Sequence, residues 1–325
     1  MTRPLTFFLL SVLLPGLTFA QTHRPNAVAN YDCDRACLFD LVDQYLAGLK
    51  ARDPSGIAWA DEVMFTENNV PLRIGDGLWG TITGMGDYDL RFADVASGEV
   101  GFFGVVDEPP FSSLFAMRLK ADHGKIAEVE TVVLRTETEP KSIIWPQPVL
   151  EHKPVFYDIL PEERRSPRDR MISIADGYFD TLQLNDGTLF TRFHANCNRV
   201  ENGTKTTNNA AVEFTSVGAL GCEEQFKQGN YRYDSRLRAR RFPLVDEERG
   251  LVLASGFIDH SGQLDKYTLA DGREINSPIR YPHSFYLLEL FKIDDGQILQ
   301  IEAVFVSVPY GMGSPWMPPT LPSQL

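Results

Sequence analysis

Between residues 37 and 50 the apolar positions Leu38, Leu41, Val42, Tyr45, Leu46 and Leu49 recur at the spacing of one helical face, so a helix is predicted there. Asp53-Pro54 closes it, because a proline disfavours helical backbone in the residue before it. Residues 168–184 carry the same signature through Ile172, Ala175, Tyr178, Phe179 and Leu182. After each helix the pattern changes to short strand-like runs bounded by turn residues. The first set is 63–66, 72–74, 100–106, 114–120 and 126–135; the second is 233–241, 251–258, 284–293 and 297–306. Gly75-Asp76-Gly77, Gly84-Met85-Gly86, Pro109-Pro110 and His123-Gly124 read as turns. A helix followed by an antiparallel meander is an α+β pattern, not an alternating one.

The same order occurs twice because part of the sequence does. Tyr45-Leu46-Ala47-Gly48-Leu49, Asp53 and Glu67-Asn68 are echoed by Tyr178-Phe179-Asp180-Thr181-Leu182, Asp186 and Glu201-Asn202. The run from Lys120 to Glu130 aligns with that from Lys292 to Glu302. An internal repeat of this size predicts two copies of one domain, at 32–136 and 168–316, joined by a Pro-rich, charged linker at 137–167.

Composition changes the picture in one respect: a net charge of −13 argues against nucleic acid as a partner, which calls for a basic face. The first twenty residues are set apart from the fold. Arg3, an apolar run at 5–17 and Thr18-Phe19-Ala20 form a signal peptide at 1–20, too short for a membrane span. A secreted or periplasmic protein with no membrane attachment is expected. In such a compartment four cysteines form disulfides. Three connectivities are open to them, and proximity favours Cys33 with Cys37 and Cys197 with Cys222. Without a CxxC motif or His/Cys clustering, no metal site is expected. Asn202-Gly203-Thr204 is a glycosylation sequon.

A helix across a curved antiparallel sheet, with Tyr45 and Tyr178 on the opening helices, resembles the NTF2-like (SnoaL-like, cystatin-like) superfamily. The phrases Phe65-Thr66-Glu67-Asn68, Gly75-Asp76-Gly77-Leu78-Trp79, Val100-Gly101-Phe102-Phe103-Gly104 and Arg240-Arg241-Phe242-Pro243 resemble an exported tandem family of unknown function in fungi and bacteria. The resemblance implies two NTF2-like domains, each a helix layer packed on a curved antiparallel sheet with a conical pocket between. It also implies the superfamily's range of cofactor-free isomerases, dehydratases, epoxide hydrolases, lyases and binding modules. Their shared device is a titratable group in an apolar cup.

Glu302 is the sharpest candidate for that group, since both faces of its strand are largely apolar. Glu130 is its repeat mate on a more polar face. Asp259-His260 ends a strand, so one of the pair is expected in the cup and the other in solvent. His194 and His283 are further acid/base candidates. Arg236, Arg238 and Arg240 alternate on one strand face, the pattern of an exposed face paired with Asp and Glu or, alternatively, of a grip on a carboxylate or enolate. Arg241, on the other face, is the arginine expected to point inward. Glu67-Asn68 and Glu201-Asn202 recur as a shared turn held by local Asn hydrogen bonds, with Glu67 and Trp79 as a pocket wall the alternative. Tyr310 in the tail could present a hydroxyl over the pocket mouth. No GxSxG, HExxH, P-loop or dinucleotide motif occurs, and no cofactor is called for. The expected function is that of an exported, cofactor-independent lyase, isomerase or dehydratase using acid–base chemistry on a small, partly apolar organic substrate. The alternative is a non-catalytic binding or scaffold protein. A homodimer is compatible with either.

Overall fold

The computed structural model describes residues 33–135, 151–212 and 215–318. The expected signal peptide at 1–20 lies outside them, as does the linker from 137 to 150. Helix α1 (Arg35–Ala51) starts at Asp34, whose side chain accepts from the Cys37 N–H at 2.9 Å, and the Cys33–Cys37 disulfide closes the same turn. It ends where Arg52 adopts left-handed backbone, φ 56°. Helix α2 (Arg168–Leu184) ends the same way at Asn185, φ 44°, a residue type that tolerates that conformation.

Two six-stranded sheets follow the helices. The first is built from β1 (Trp59–Glu67), β2 (Val70–Pro71), β3 (Gly84–Asp94), β4 (Glu99–Glu108), β5 (Phe111–Asp122) and β6 (Lys125–Leu134), in the order β2-β1-β6-β5-β4-β3. The second is built from β7 (Phe193–Glu201), β8 (Thr204–Lys205), β9 (Arg236–Asp246), β10 (Leu251–His260), β13 (His283–Asp294) and β14 (Gln297–Val308), in the order β8-β7-β14-β13-β10-β9. A hairpin of β11 (Lys266–Thr268) and β12 (Glu274–Asn276) interrupts the second set, and a short α3 (Cys222–Lys227) is disulfide-tied to β7 through Cys197–Cys222. Strand order and sense agree between the sheets: β1 runs parallel to β6 and β7 parallel to β14, with all other pairings antiparallel.

This corrects the expected architecture. Two NTF2-like domains, each a helix layer on an antiparallel sheet, do not describe a chain that is mostly β. Both sheets are mixed, and the described residues hold only three α-helices, one of them six residues long. One helix covers one face of each sheet. α1 packs with Phe65, Phe102 and Met117 on the first, and α2 with Ala254, Phe291 and Ile301 on the second. The other face of each sheet packs on its counterpart, where Phe92, Phe103 and Val132 meet Leu253, Leu288 and Val304 in one shared core. Arginines clasp the two halves reciprocally. Arg35 of α1 pairs with Asp246 of β9 at 2.6 Å, and Arg168 of α2 pairs with Asp94 of β3 at 2.7 Å, the exchange expected of a two-fold relation.

Local departures from the predicted elements have local causes. Gly84-Met85-Gly86, read as a turn, opens β3; a Cβ on Gly86 would lie 2.8 Å from Val105, so glycine there permits close strand approach. β7 went unread because its pattern mixes polar and apolar residues. In β9, Ala239 has φ 50° and the register with β10 shifts. This bulge breaks the expected arginine stripe. Arg236 and Arg238 bind Asp259, whereas Arg240 turns to Asp176 and Asp180 of α2.

Candidate active site

Between α2 and the second sheet lies a cavity of ≈ 650 Å³ between atoms, its open mouth included. Its apolar wall includes Leu182, Ile258, Phe285, Leu287 and Phe305, and Tyr231 and Tyr233 also line it. Room for it comes from β13, where Glu289 stands opposite Ala254 on one neighbour and Ala303 on the other. Two methyl groups flank a carboxyl that projects from a buried strand.

Glu289 is 3% exposed and has no ion pair among the described residues. Burial pushes its carboxyl up to about 8, the charge on Glu201 adds to this, and Arg199 and the Tyr178 hydroxyl oppose it. At neutral pH it therefore carries a proton. His260 ends β10 and is 1% exposed. Its Nδ1 lies 3.1 Å from Asp234 Oδ1 as an ion-pair contact, and neither buried ring nitrogen has a hydrogen-bond partner among the described residues. Burial raises Asp234 above the usual carboxylate range, with His260 pulling it back. Arg199 is fully committed elsewhere. It pairs with Glu201 at 3.0 Å, donates to Gln225 at 2.8 Å and to the Tyr231 hydroxyl, and lies over the Tyr231 ring at 4.8 Å.

The cavity thus holds a protonated carboxyl and a carboxylate–imidazole pair behind mainly apolar walls. A protonated carboxyl and an imidazole facing one mainly apolar cavity can give and take protons. Nothing in that donor set gathers a metal: no group of three His, Cys, Asp or Glu able to hold one occurs among the described residues.

Of the residues singled out from sequence, the structure brings His260 alone to this cavity. His283 sits beside it, opposite in register with ring centroids 4.8 Å apart. Asp259 points to the other face and is buried rather than solvated. Burial would raise its carboxyl, but Arg238, Ser284 and Arg236 hold it below the usual range. Glu302 is on the right strand and the wrong face. With its parity partners Val304 and Val306 it enters the contact between sheets, pairing with Lys153 at 2.8 Å and accepting from Tyr88 at 2.8 Å. Its strand neighbours Ala303 and Phe305 are the ones that line the cavity.

Glu130 and Arg241 meet each other in that same contact, joined by Arg118, Ser255 and Tyr286, and burial of Glu130 is outweighed by Arg118, leaving it lowered. Glu67 caps the Leu78 N–H at 2.7 Å, and Trp79 packs on Tyr45 in the first core. His194 accepts from the Asn196 N–H at the surface end of β7, and Tyr310 is an exposed tail residue. Glu289, Asp234, Arg199 and Tyr178 were missed as site residues. For Glu289 the signal existed, a lone carboxylate in the apolar run Phe285–Phe291.

Residues 164–305 match the family described as "Domain of unknown function (DUF8021)", a span that contains every residue lining the cavity. No curated protein matches the chain. Among solved structures, a protein from Sphaerobacter thermophilus is similar at 20% identity and a TM-score of 0.26, covering 30% of this chain and 95% of its own. A Bacillus subtilis protein described as a "Putative Isomerase" is similar at 12% identity and a TM-score of 0.28, covering 42% of this chain and 86% of its own.

Proposed function

We propose that the second half is a cofactor-independent acid–base enzyme, an isomerase, lyase or dehydratase acting on a small, partly apolar carbonyl or hydroxyl compound. The observation that carries this reading is the pairing, in one cavity, of a Glu289 carboxyl raised to about 8 with a His260 imidazole backed by Asp234. His260 Nε2, without a hydrogen-bond partner among the described residues, takes a proton from carbon next to the substrate carbonyl. Asp234, 3.1 Å from Nδ1, steadies the imidazolium that forms. Protonated Glu289 donates to the substrate oxygen as charge develops there. Tyr178, kept protonated by burial first and by Glu289 next, turns its hydroxyl to Glu289. The two disulfides favour an oxidising compartment as the place of work. No helix among the described residues is long and apolar enough to cross a membrane.

The test is deuterium exchange. Wild-type protein incubated in heavy water with cyclic enones and β-hydroxy ketones is expected to wash deuterium into the α-carbon, read by mass spectrometry. His260→Ala and Glu289→Gln are expected to slow this by about 10²–10⁴-fold, the usual worth of a positioned acid or base. Unaltered exchange in both variants contradicts the reading. The non-catalytic alternative predicts binding without exchange.

A further inference from the structure

The cavity does not end at Tyr233. Thr215, Asn230 and Tyr233 line both it and an adjoining cleft of ≈ 370 Å³, mouth included. Two connections that are long only in the second half build this cleft. One runs from 206 to 235, described at 206–212 and 215–235, against 72–83 in the first half; the other is 261–282, against the turn at 109–110. Each belongs to one small core in which Val217, Tyr233, Tyr267, Leu269 and Ile279 pack together. Gly262, φ 69°, pinches the base of the second connection; a Cβ there would lie 2.5 Å from the Tyr281 backbone. The β11–β12 hairpin contributes Tyr267, Ile275 and Asn276 to the cleft.

The cleft's chemistry differs from the cavity's. Its walls are the rings of Tyr233 and Tyr267, centroids 6.4 Å apart, with Ile275 and Pro278. The Tyr267 hydroxyl is already committed to the Asn230 carbonyl at 2.7 Å, so Tyr267 offers its face. Its polar groups are Thr215, Ser216, Asn230 and Asn276, and no Asp, Glu, Lys or Arg lines it. Amides and hydroxyls beside aromatic faces suit an uncharged ring bearing several hydroxyls, its C–H face on the tyrosines. A charged group there would lose solvation with no counter-charge.

We infer that the site takes a ligand in two parts: an unsaturated or aromatic ring in the cavity, joined across Thr215 and Asn230 to a neutral, sugar-like ring in the cleft. The inference rests on the acid–base reading for what occupies the deep cavity, and adds the specificity residues Asn276 and Thr215.

Four probes test it on the full chain by calorimetry: phenol, D-glucose, phenyl β-D-glucoside and phenyl β-D-glucuronide. The glucoside is expected to bind about tenfold tighter than phenol, the worth of one or two neutral hydrogen bonds. Glucose alone and the charged glucuronide are expected to bind no better than phenol. Asn276 is exposed, so Asn276→Ala should fold normally, bring the glucoside down to the affinity of phenol and leave phenol unchanged. Thr215→Val, at a residue that borders both spaces, is the second variant and is expected to lower the ratio of glucoside to phenol affinity. A glucoside no tighter than phenol, a glucuronide as tight as the glucoside, or no binding of any probe overturns the two-part ligand and leaves the exchange experiment standing. Loss of the acid–base reading shows separately, as absent exchange with the glucoside still preferred.

Discussion

The two halves share strand order and sense, yet one encloses a cavity and the other is filled. Registers align them position by position. Glu130 and Glu302 stand at equivalent places, pairing with Arg118 and Leu290, so Met117 corresponds to Glu289 and Phe65 to Arg199. Met117 is opposite Phe102, whereas Glu289 is opposite Ala254. Trp79, on the short turn 77–80, edges onto Tyr45 at 5.4 Å and completes the first core. The first half thus has large apolar groups where the second has a carboxyl, a guanidinium and a methyl. A common backbone supports either a packed core or a polar cavity, and a few side chains decide which.

That contrast can be broken from either side. Trp79→Ala should hollow the filled half and lower stability by about 3–5 kcal/mol, measured by denaturant midpoint. Arg199→Phe, which imports the residue of the first half, should cost a similar ~3–5 kcal/mol because Glu201 is left without its cation. Ala254→Phe should cost less, about 1–3 kcal/mol of overpacking, yet abolish deuterium exchange by filling the space beside Glu289. Lys227→Ala removes an exposed ion pair to Glu223 on α3 and should leave the denaturant midpoint unchanged, because water screens such a pair.

The repeat, both long helices and most strands were legible because apolar period and turn residues are local. The pairing of sheet on sheet was not, since alternation marks two apolar faces without saying what covers each. Glu302 shows the consequence. Its apolar neighbourhood was real, but it belongs to the contact between halves, and parity alone could not assign the cavity to Ala303 and Phe305. The arginine stripe failed at Ala239, where a bulge without glycine leaves no sequence mark. The two connections that build the cleft carry little periodicity, so Asp234 and Asn230 stayed silent.

The most direct measurement is the titration of Glu289 itself, by carbon-13 NMR of the labelled carboxyl in wild-type protein, with Glu289→Gln to assign the signal. The expected midpoint is about 8, against an ordinary value of 4.5. Because the folded state binds this proton more tightly than the unfolded chain, its stabilisation is complete below pH 4.5 and is lost as pH rises through about 8. The wild-type minus variant stability should therefore fall across that window by an amount on the order of a few kcal/mol. A midpoint near 4.5, with parallel stability curves for the two proteins, would contradict a protonated acid in this cavity.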